Sequence, residues 1–341
     1  MSKGSRHLFR PGIAIGVLLS CAGARAWGPD GHETTGKLAD ALIAGSPAAT
    51  QVRKLIGMSL QQASVWADCA KGVVKDKTTG KFAYKGAGNF PECKPFETPQ
   101  EEARMAAFVS RNWTQCDPKS WEETCHRQYH YADVAIQHDH YQGGLAGTSD
   151  HDIVGSINAA ITVLKGGHSP APIHLASKRE ALLVLSHYVG DIHQPLHVEA
   201  VYLNPQGQPV DPDQAATFDP ATRTVGGNSI FDHGEKLHAE WDQVPLQLTP
   251  SHVGANEVAR ARAVAPTAGD PLTWSAQWAT DTIQSADAAF SGVGFAPEDT
   301  HHHWQASLPD GYAASRAALQ RTQVVKGGAR LAQLLQAIWP R

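Results

Sequence analysis

No stretch after residue 24 is as apolar as the run from Pro11 to Ala24, and that run is itself too short to cross a bilayer comfortably. A membrane-embedded body is therefore not expected. Basic charge is also short. Lys3, Arg6, Arg10 and Arg25 all fall in the first 26 residues, and without them 25 Lys and Arg face 33 Asp and Glu, a net charge of −8. That balance disfavours a broad electrostatic grip on duplex DNA. Cysteine is scarce, with five in 341 residues, and the spacings of 24, 23 and 9 between Cys69, Cys93, Cys116 and Cys125 fit no zinc-finger pattern. Internal repeats and dividing linkers are absent, which favours one domain.

The first residues read as a cleaved export signal: early basic residues, the apolar run, then a small-x-small end at Ala24-Arg25-Ala26. Cleavage after Ala26 leaves Trp27 first, with residues 1–26 as the signal, residues 27–341 as the mature domain, and a secreted or periplasmic location. Leu18-Leu19-Ser20-Cys21 loosely fits a lipoprotein site, and processing there would leave Trp27 internal. Cys21 departs with the signal, so four cysteines remain. An even count in an exported chain predicts two disulfides, with three connectivities open and a zinc–thiolate site as the alternative.

Helical periodicity marks Ala176 to Val189, Asp152 to Leu164 and Val324 to Ile338. Helix-compatible stretches also surround Ser59 to Asp68, Glu101 to Arg111, Gly234 to Asp242 and Gln277 to Phe290. Strand-like alternation is scarce. The expected fold class is mainly α, a single-domain helical bundle. Ala70 to Phe96 and Val201 to Asn228 read as long irregular loops, of the kind that border active sites.

Seventeen histidines remain beyond His7, and their spacing from aspartates is informative. His187 and Asp191 stand four apart on a predicted helix, so both project from one face toward a common ion. His238 and Asp242 repeat the arrangement, with His193 and His197 beside the first pair. His32, Asp68 and His130 are further candidates. Nitrogen and oxygen ligands without thiolates suit Zn²⁺ well, with Mn²⁺ and Ni²⁺ chemically open. His193, two residues after Asp191, is expected to point away from the ions, and His301-His302-His303 reads as a solvated loop.

These residues resemble the S1/P1 nuclease family, which shares its fold with the zinc-dependent phospholipases C. The resemblance rests on Trp27-Gly28 with His32, Trp66-Ala67-Asp68 and His130-Tyr131-Ala132-Asp133. It continues through His187-Tyr188-Val189-Gly190-Asp191-Ile192-His193-Gln194-Pro195-Leu196-His197, Gly226-Gly227-Asn228, Leu237-His238-Ala239-Glu240-Trp241-Asp242 and Val324 to Ala332. It implies three zinc ions: the first held by Asp68, His130, His187 and Asp191, and the second by Asp191, His32 and the amine and carbonyl oxygen of Trp27. The third would be held by His197, His238 and Asp242. Two close ions would supply a bridging hydroxide near neutral pH for in-line attack, and the third would offset charge on a phosphate oxygen.

Asp68, Asp191 and Lys71 are the expected catalytic residues. Tyr131, Asp133 and Lys71 are expected to bind substrate, the ring stacking on a base and Asp133 accepting its hydrogen bonds. The implied substrates are single-stranded DNA and RNA and 3′-nucleotides, cut to 5′-phosphate products by a monomer. Two departures stand out. Lys71 replaces the family's usual arginine, supplying charge without a two-pronged contact, and the interval from Asp68 to His130 is long and bears all four cysteines. A phospholipase C and a non-catalytic zinc-binding protein are the competing readings. The Asn112-Trp113-Thr114 sequon is assigned no role.

Overall fold

The computed structural model of this chain describes residues 27–214 and 217–340; the expected signal at 1–26 lies outside the described residues. Twelve α-helices occur among the described residues: α1 (Pro29–Ile43), α2 (Pro47–Ile56), α3 (Leu60–Ala63), α4 (Trp66–Ala70), α5 (Pro99–Arg111), α6 (Cys125–Gln128), α7 (Ile153–Leu164), α8 (Lys178–Asp191), α9 (Leu237–Asp242), α10 (Ala255–Arg262), α11 (Pro271–Phe290) and α12 (Tyr312–Ile338). Strands are short, and the largest sheet has four of them. The mainly α expectation holds.

Helix α8 is the hub. Every residue from Ala181 to Asp191 is buried, and the helix packs on α1, α2, α3, α4, α7 and α12. Its start is set by Ser177, whose hydroxyl accepts the Glu180 N–H at 3.1 Å. Its partner α7 starts at Asp152, which accepts the Val154 and Gly155 N–H groups. Ile153, Ile157, Ala160, Ile161 and Leu164 of α7, the apolar periodicity read from sequence, are all buried.

Several boundaries differ from expectation. Helix α12 begins at Tyr312, twelve residues before the periodic stretch, because Gly311 at φ 80 turns the chain into it. Helix α1 was not expected, since its first turn is written in Pro, Asp and Gly; Pro29 at the first turn is compatible with a helix start. Residues 70–96 are not an irregular loop. They form an antiparallel hairpin, Val73–Lys75 against Phe82–Tyr84, and a 3₁₀ turn, Pro91–Phe96. Both disulfides form: Cys69–Cys93 ties the 3₁₀ turn to α4, and Cys116–Cys125 closes the loop before α6.

Asn112 is buried, its amide donating to the Phe108 and His174 carbonyls, so the sequon is closed to modification in the folded chain. No helix of the described residues is long and apolar enough to cross a membrane.

Helices α1 and α3 meet where Gly36 faces backbone: an added Cβ would stand 2.4 Å from the Leu60 carbonyl oxygen. Gly36→Ala is therefore expected to cost about 1–3 kcal/mol by overpacking. Gly143→Ala, whose Cβ would meet nothing within 4 Å, should leave the midpoint of urea unfolding unchanged. Equal midpoints for the two variants would refute the close crossing.

Candidate metal centre and substrate cleft

Segments distant in sequence converge beside the end of α8. Helix α1 brings His32, α4 brings Asp68, and α8 itself brings His187 and Asp191. His130 arrives through a two-residue parallel pairing, Val134–Ala135 with Glu199–Ala200, which also fixes His197. The Ala132 N–H donates to the His197 carbonyl at 2.8 Å, and His197 Nδ1 donates to the His130 carbonyl at 2.7 Å. Helix α9 supplies His238 and Asp242, and the Gly28 N–H donates to the Asp242 carbonyl, joining the residue before α1 to the end of α9.

The histidine tautomers follow from their partners. His187 Nδ1 lies 2.6 Å from the Ser64 carbonyl, His197 Nδ1 2.7 Å from that of His130, and His238 Nδ1 2.6 Å from that of Gly226. A carbonyl only accepts, so each Nδ1 carries hydrogen and each Nε2 is turned inward. His197 Nε2 and His238 Nε2 face each other at 3.2 Å, and His187 Nε2 is 3.1 Å from His130 Nδ1.

The carboxylates close on the same points. Asp191 Oδ2 is 2.9 Å from His130 and 3.1 Å from His187, and Asp191 Oδ1 is 3.1 Å from His32 Nε2. That last approach lacks hydrogen-bond alignment: both ring nitrogens of His32, Asp191 Oδ1 and Asp68 Oδ1 are buried without a hydrogen-bond partner. Lys71 Nζ stands 2.7 Å from Asp68 Oδ1 as an ion pair. Buried polar atoms left unmatched are costly, and His32 Nε2 facing Asp191 Oδ1 at 3.1 Å without a hydrogen bond fits a bound cation between them.

Three groups of ligand atoms lie within 4.8 Å of one another here: His32, Asp68 and His187; His130, His187 and Asp191; His197, His238 and Asp242. The eight side chains expected as ligands are thus brought together. Trp27 is buried beside them, its indole N–H donating to the Gly190 carbonyl at 2.9 Å. Gly190 makes this possible, since a Cβ there would meet His32 Nδ1 at 2.8 Å. His193 turns away: Nδ1 bonds the Val189 carbonyl and Nε2 meets Arg330 at 2.9 Å. The residues 301–303 lie at the surface, apart from this centre.

Electrostatics agrees with a site built for positive charge. Burial, then the neighbouring His187, lowers His32 to about 4, and burial with His197 lowers His238 to about 3, so both rings are neutral and able to ligate. Burial opposes ionisation of Asp191, yet His187, His197 and His32 together hold its carboxyl well below the usual range. Burial also lowers His187, but Asp191 and Asp68 outweigh it and raise the ring. Asp242 is pushed well up by burial and by Asp68 and Asp191, with Gln194 Nε2 donating to it at 3.0 Å.

A cavity of about 240 Å³ opens over these groups, with Lys71, His130, Tyr131, Asp133, His197 and His238 among its walls. Val225, a β-branched residue at φ 54, and Gly226 also line it, in the stretch 201–228 expected to border the site. Asp133 is buried and pairs with Arg223 at 3.4 Å; burial raises its carboxyl against the guanidinium. Arg223 was missed from sequence, although it lies three residues before Gly226-Gly227-Asn228. Gln194 was missed as well, inside the richest motif. A further group, His138, Asp211 and Asp213, lies nearer the surface and had no helical spacing to betray it.

The family model described as S1/P1 Nuclease matches residues 112–340. This chain belongs to the S1/P1 nuclease family. Among its relatives, Endonuclease 1 of Arabidopsis thaliana is 23% identical over 252 residues, 71% of this chain and 62% of that protein. Endonuclease 3 of the same plant is 23% identical over 293 residues, and Endonuclease 4 is 22% identical over 298; each covers 78% of this chain, with 92% and 93% of their own lengths. The chain thus spans less than two thirds of the first relative. His32, Asp68 and Lys71 precede the span that the nuclease family model matches.

Because the fold keeps His32 and His238 neutral, the unfolded chain binds more protons below its ordinary histidine value of 6.5. Stability of the chelator-treated protein should therefore fall as pH drops from about 6.5 toward about 3, as read by urea denaturation; His187 works in the opposite sense. A flat profile over that window would contradict the buried neutral rings.

Proposed function

We propose that this nuclease-family chain is an exported, zinc-dependent phosphodiesterase. It cuts single-stranded DNA and RNA to 5′-phosphate products and also hydrolyses 3′-nucleotides. The observation that carries the reading is the set of inward-facing Nε2 atoms on His187, His197 and His238, each fixed by a backbone carbonyl and ringed by Asp68, Asp191 and Asp242. Such an array repels itself without cations and suits Zn²⁺.

Asp68, His130, His187 and Asp191 would hold one ion, and His197, His238 and Asp242 another. Asp191 with His32 and the amine and carbonyl oxygen of Trp27 would hold a third, once export processing frees that amine at 27. The bound ions supply Lewis acidity, activating water near neutral pH and offsetting charge on phosphate oxygens.

The chain's own residues supply the rest. Lys71, at the cavity wall beside Asp68, places a point charge where a non-bridging phosphate oxygen would sit. Tyr131 offers its ring to a base, and Asp133 accepts the N–H groups of the base edge while Arg223 steadies it. Only an unpaired base exposes both its face and its edge, which accounts for a single-strand preference without a basic surface. The two cysteine bridges and the absence of an apolar spanning helix among the described residues are consistent with export.

A chelator should abolish cleavage of single-stranded DNA and Zn²⁺ should restore it, with metal and activity leaving together in acid; activity retained by metal-free protein would sink the reading. Release of lipid headgroups from liposomes with no nucleotide release would favour a phospholipase instead. Gln194→Ala, which spares every ligand but removes the donor to Asp242, should lower zinc affinity or kcat/KM by about 10- to 100-fold. Unchanged zinc content and rate would remove Gln194 from that support.

A further inference from the structure

A second, smaller cavity lies beside Tyr131 and Asp133, and none of the histidines of the ligand cluster lines it. Tyr131 and Asp133 are shared between the two cavities, and Arg223, paired with Asp133, lines the second. The outer rim of the second is formed by Trp121 and Phe218, two of the large apolar side chains that stay exposed, at 47% and 38%. Between them lie polar groups that include Gln128, Thr148 and Ser149.

Neither aromatic fills the core, yet both are anchored to the base-reading wall. Arg223 Nη1 donates to the Trp121 carbonyl at 3.2 Å while its other terminal nitrogen pairs with Asp133. The loop bearing Trp121 is closed by Cys116–Cys125. Phe218 packs edge-on against Tyr202 at 6.1 Å, and the Tyr202 hydroxyl donates to the Asp133 carbonyl at 2.7 Å. Two rings held at fixed places, at the edge of a cleft and beside an arginine, are what a strand of bases stacks on. The acidic Glu122 on the rim disfavours a phosphate there and suits a base.

We propose that Trp121 and Phe218 form a second stacking subsite, which takes the base next to the one read by Tyr131 and Asp133. The subsite rests on the reading of single strands as substrate. It gives oligonucleotides a hold that mononucleotides lack, independently of base identity, because every base has a π-face.

The test uses the zinc-loaded enzyme, with Trp121→Ala, Phe218→Ala and Trp121→Phe, assayed on a short oligodeoxynucleotide and on a 3′-mononucleotide. Binding of a phosphorothioate oligonucleotide is measured in parallel. The alanine variants should raise KM for the oligonucleotide about fivefold or more and lower the oligonucleotide-to-mononucleotide ratio of kcat/KM accordingly. Trp121→Phe should recover most of the loss, and phosphorothioate affinity should fall in step. An unchanged ratio with unchanged phosphorothioate binding, or equal losses on both substrates, would overturn the subsite. If the unmodified enzyme cleaved neither substrate, the proposed function would fall. The binding arm would still decide the subsite.

Discussion

Asp191 has no exposure to water and sits at the end of a helix buried without a break from Ala181, ringed by three histidines. Taking a carboxylate out of water costs several kcal/mol even after relaxation. Something positive must stand beside it, and three of the segments around α8 bring groups to that point. Helix α1 delivers His32, α4 delivers Asp68 with Lys71, and the strand pairing before α7 delivers His130. The apolar face of α8 fixes where these arrive, and its one buried acid fixes what they must be.

The orientation of the rings is a backbone matter. Carbonyls of Ser64, His130 and Gly226 hold the Nδ1 hydrogens of His187, His197 and His238, so none of those three rings is free to swing. Gly190 and Gly226 then let neighbouring groups approach more closely than a Cβ would permit: a Cβ at Gly226 would stand 2.6 Å from the Leu196 carbonyl oxygen. Rigid placement of this kind lets a cation be bound without reorganising the site, which is the condition for electrostatic catalysis in a dry cleft.

Lys71 and the long interval from Asp68 to His130 both reach the cleft. Lys71 brings a charge that its ion pair with Asp68 partly satisfies, and the long interval before His130 folds into two disulfide-tied units rather than a loose loop. The second of those units carries Trp121 to the rim beside Arg223. The interval therefore reaches the site at two points, Lys71 beside Asp68 and Trp121 beside Arg223.

The helices α7 and α8, and the i, i+4 pairs His187 with Asp191 and His238 with Asp242, could be read directly from spacing, because helical period and ligand geometry are local. His193 could be separated from its neighbours for the same reason. Arg223 and Gln194 could not, since each acts on a residue far away in sequence, at Asp133 and Asp242. Nor could the disulfide pairing, the hairpin in 70–96 or helix α1, whose Pro-Asp-Gly start also suits a turn and which packing against α12 and α3 decides. The sequence by itself determined which residue types can bind metal and which pairs share a helical face. Tertiary structure alone decided which pairs share one site, which tautomer each ring adopts and what walls the cleft, because those depend on carbonyls and side chains that only packing brings together.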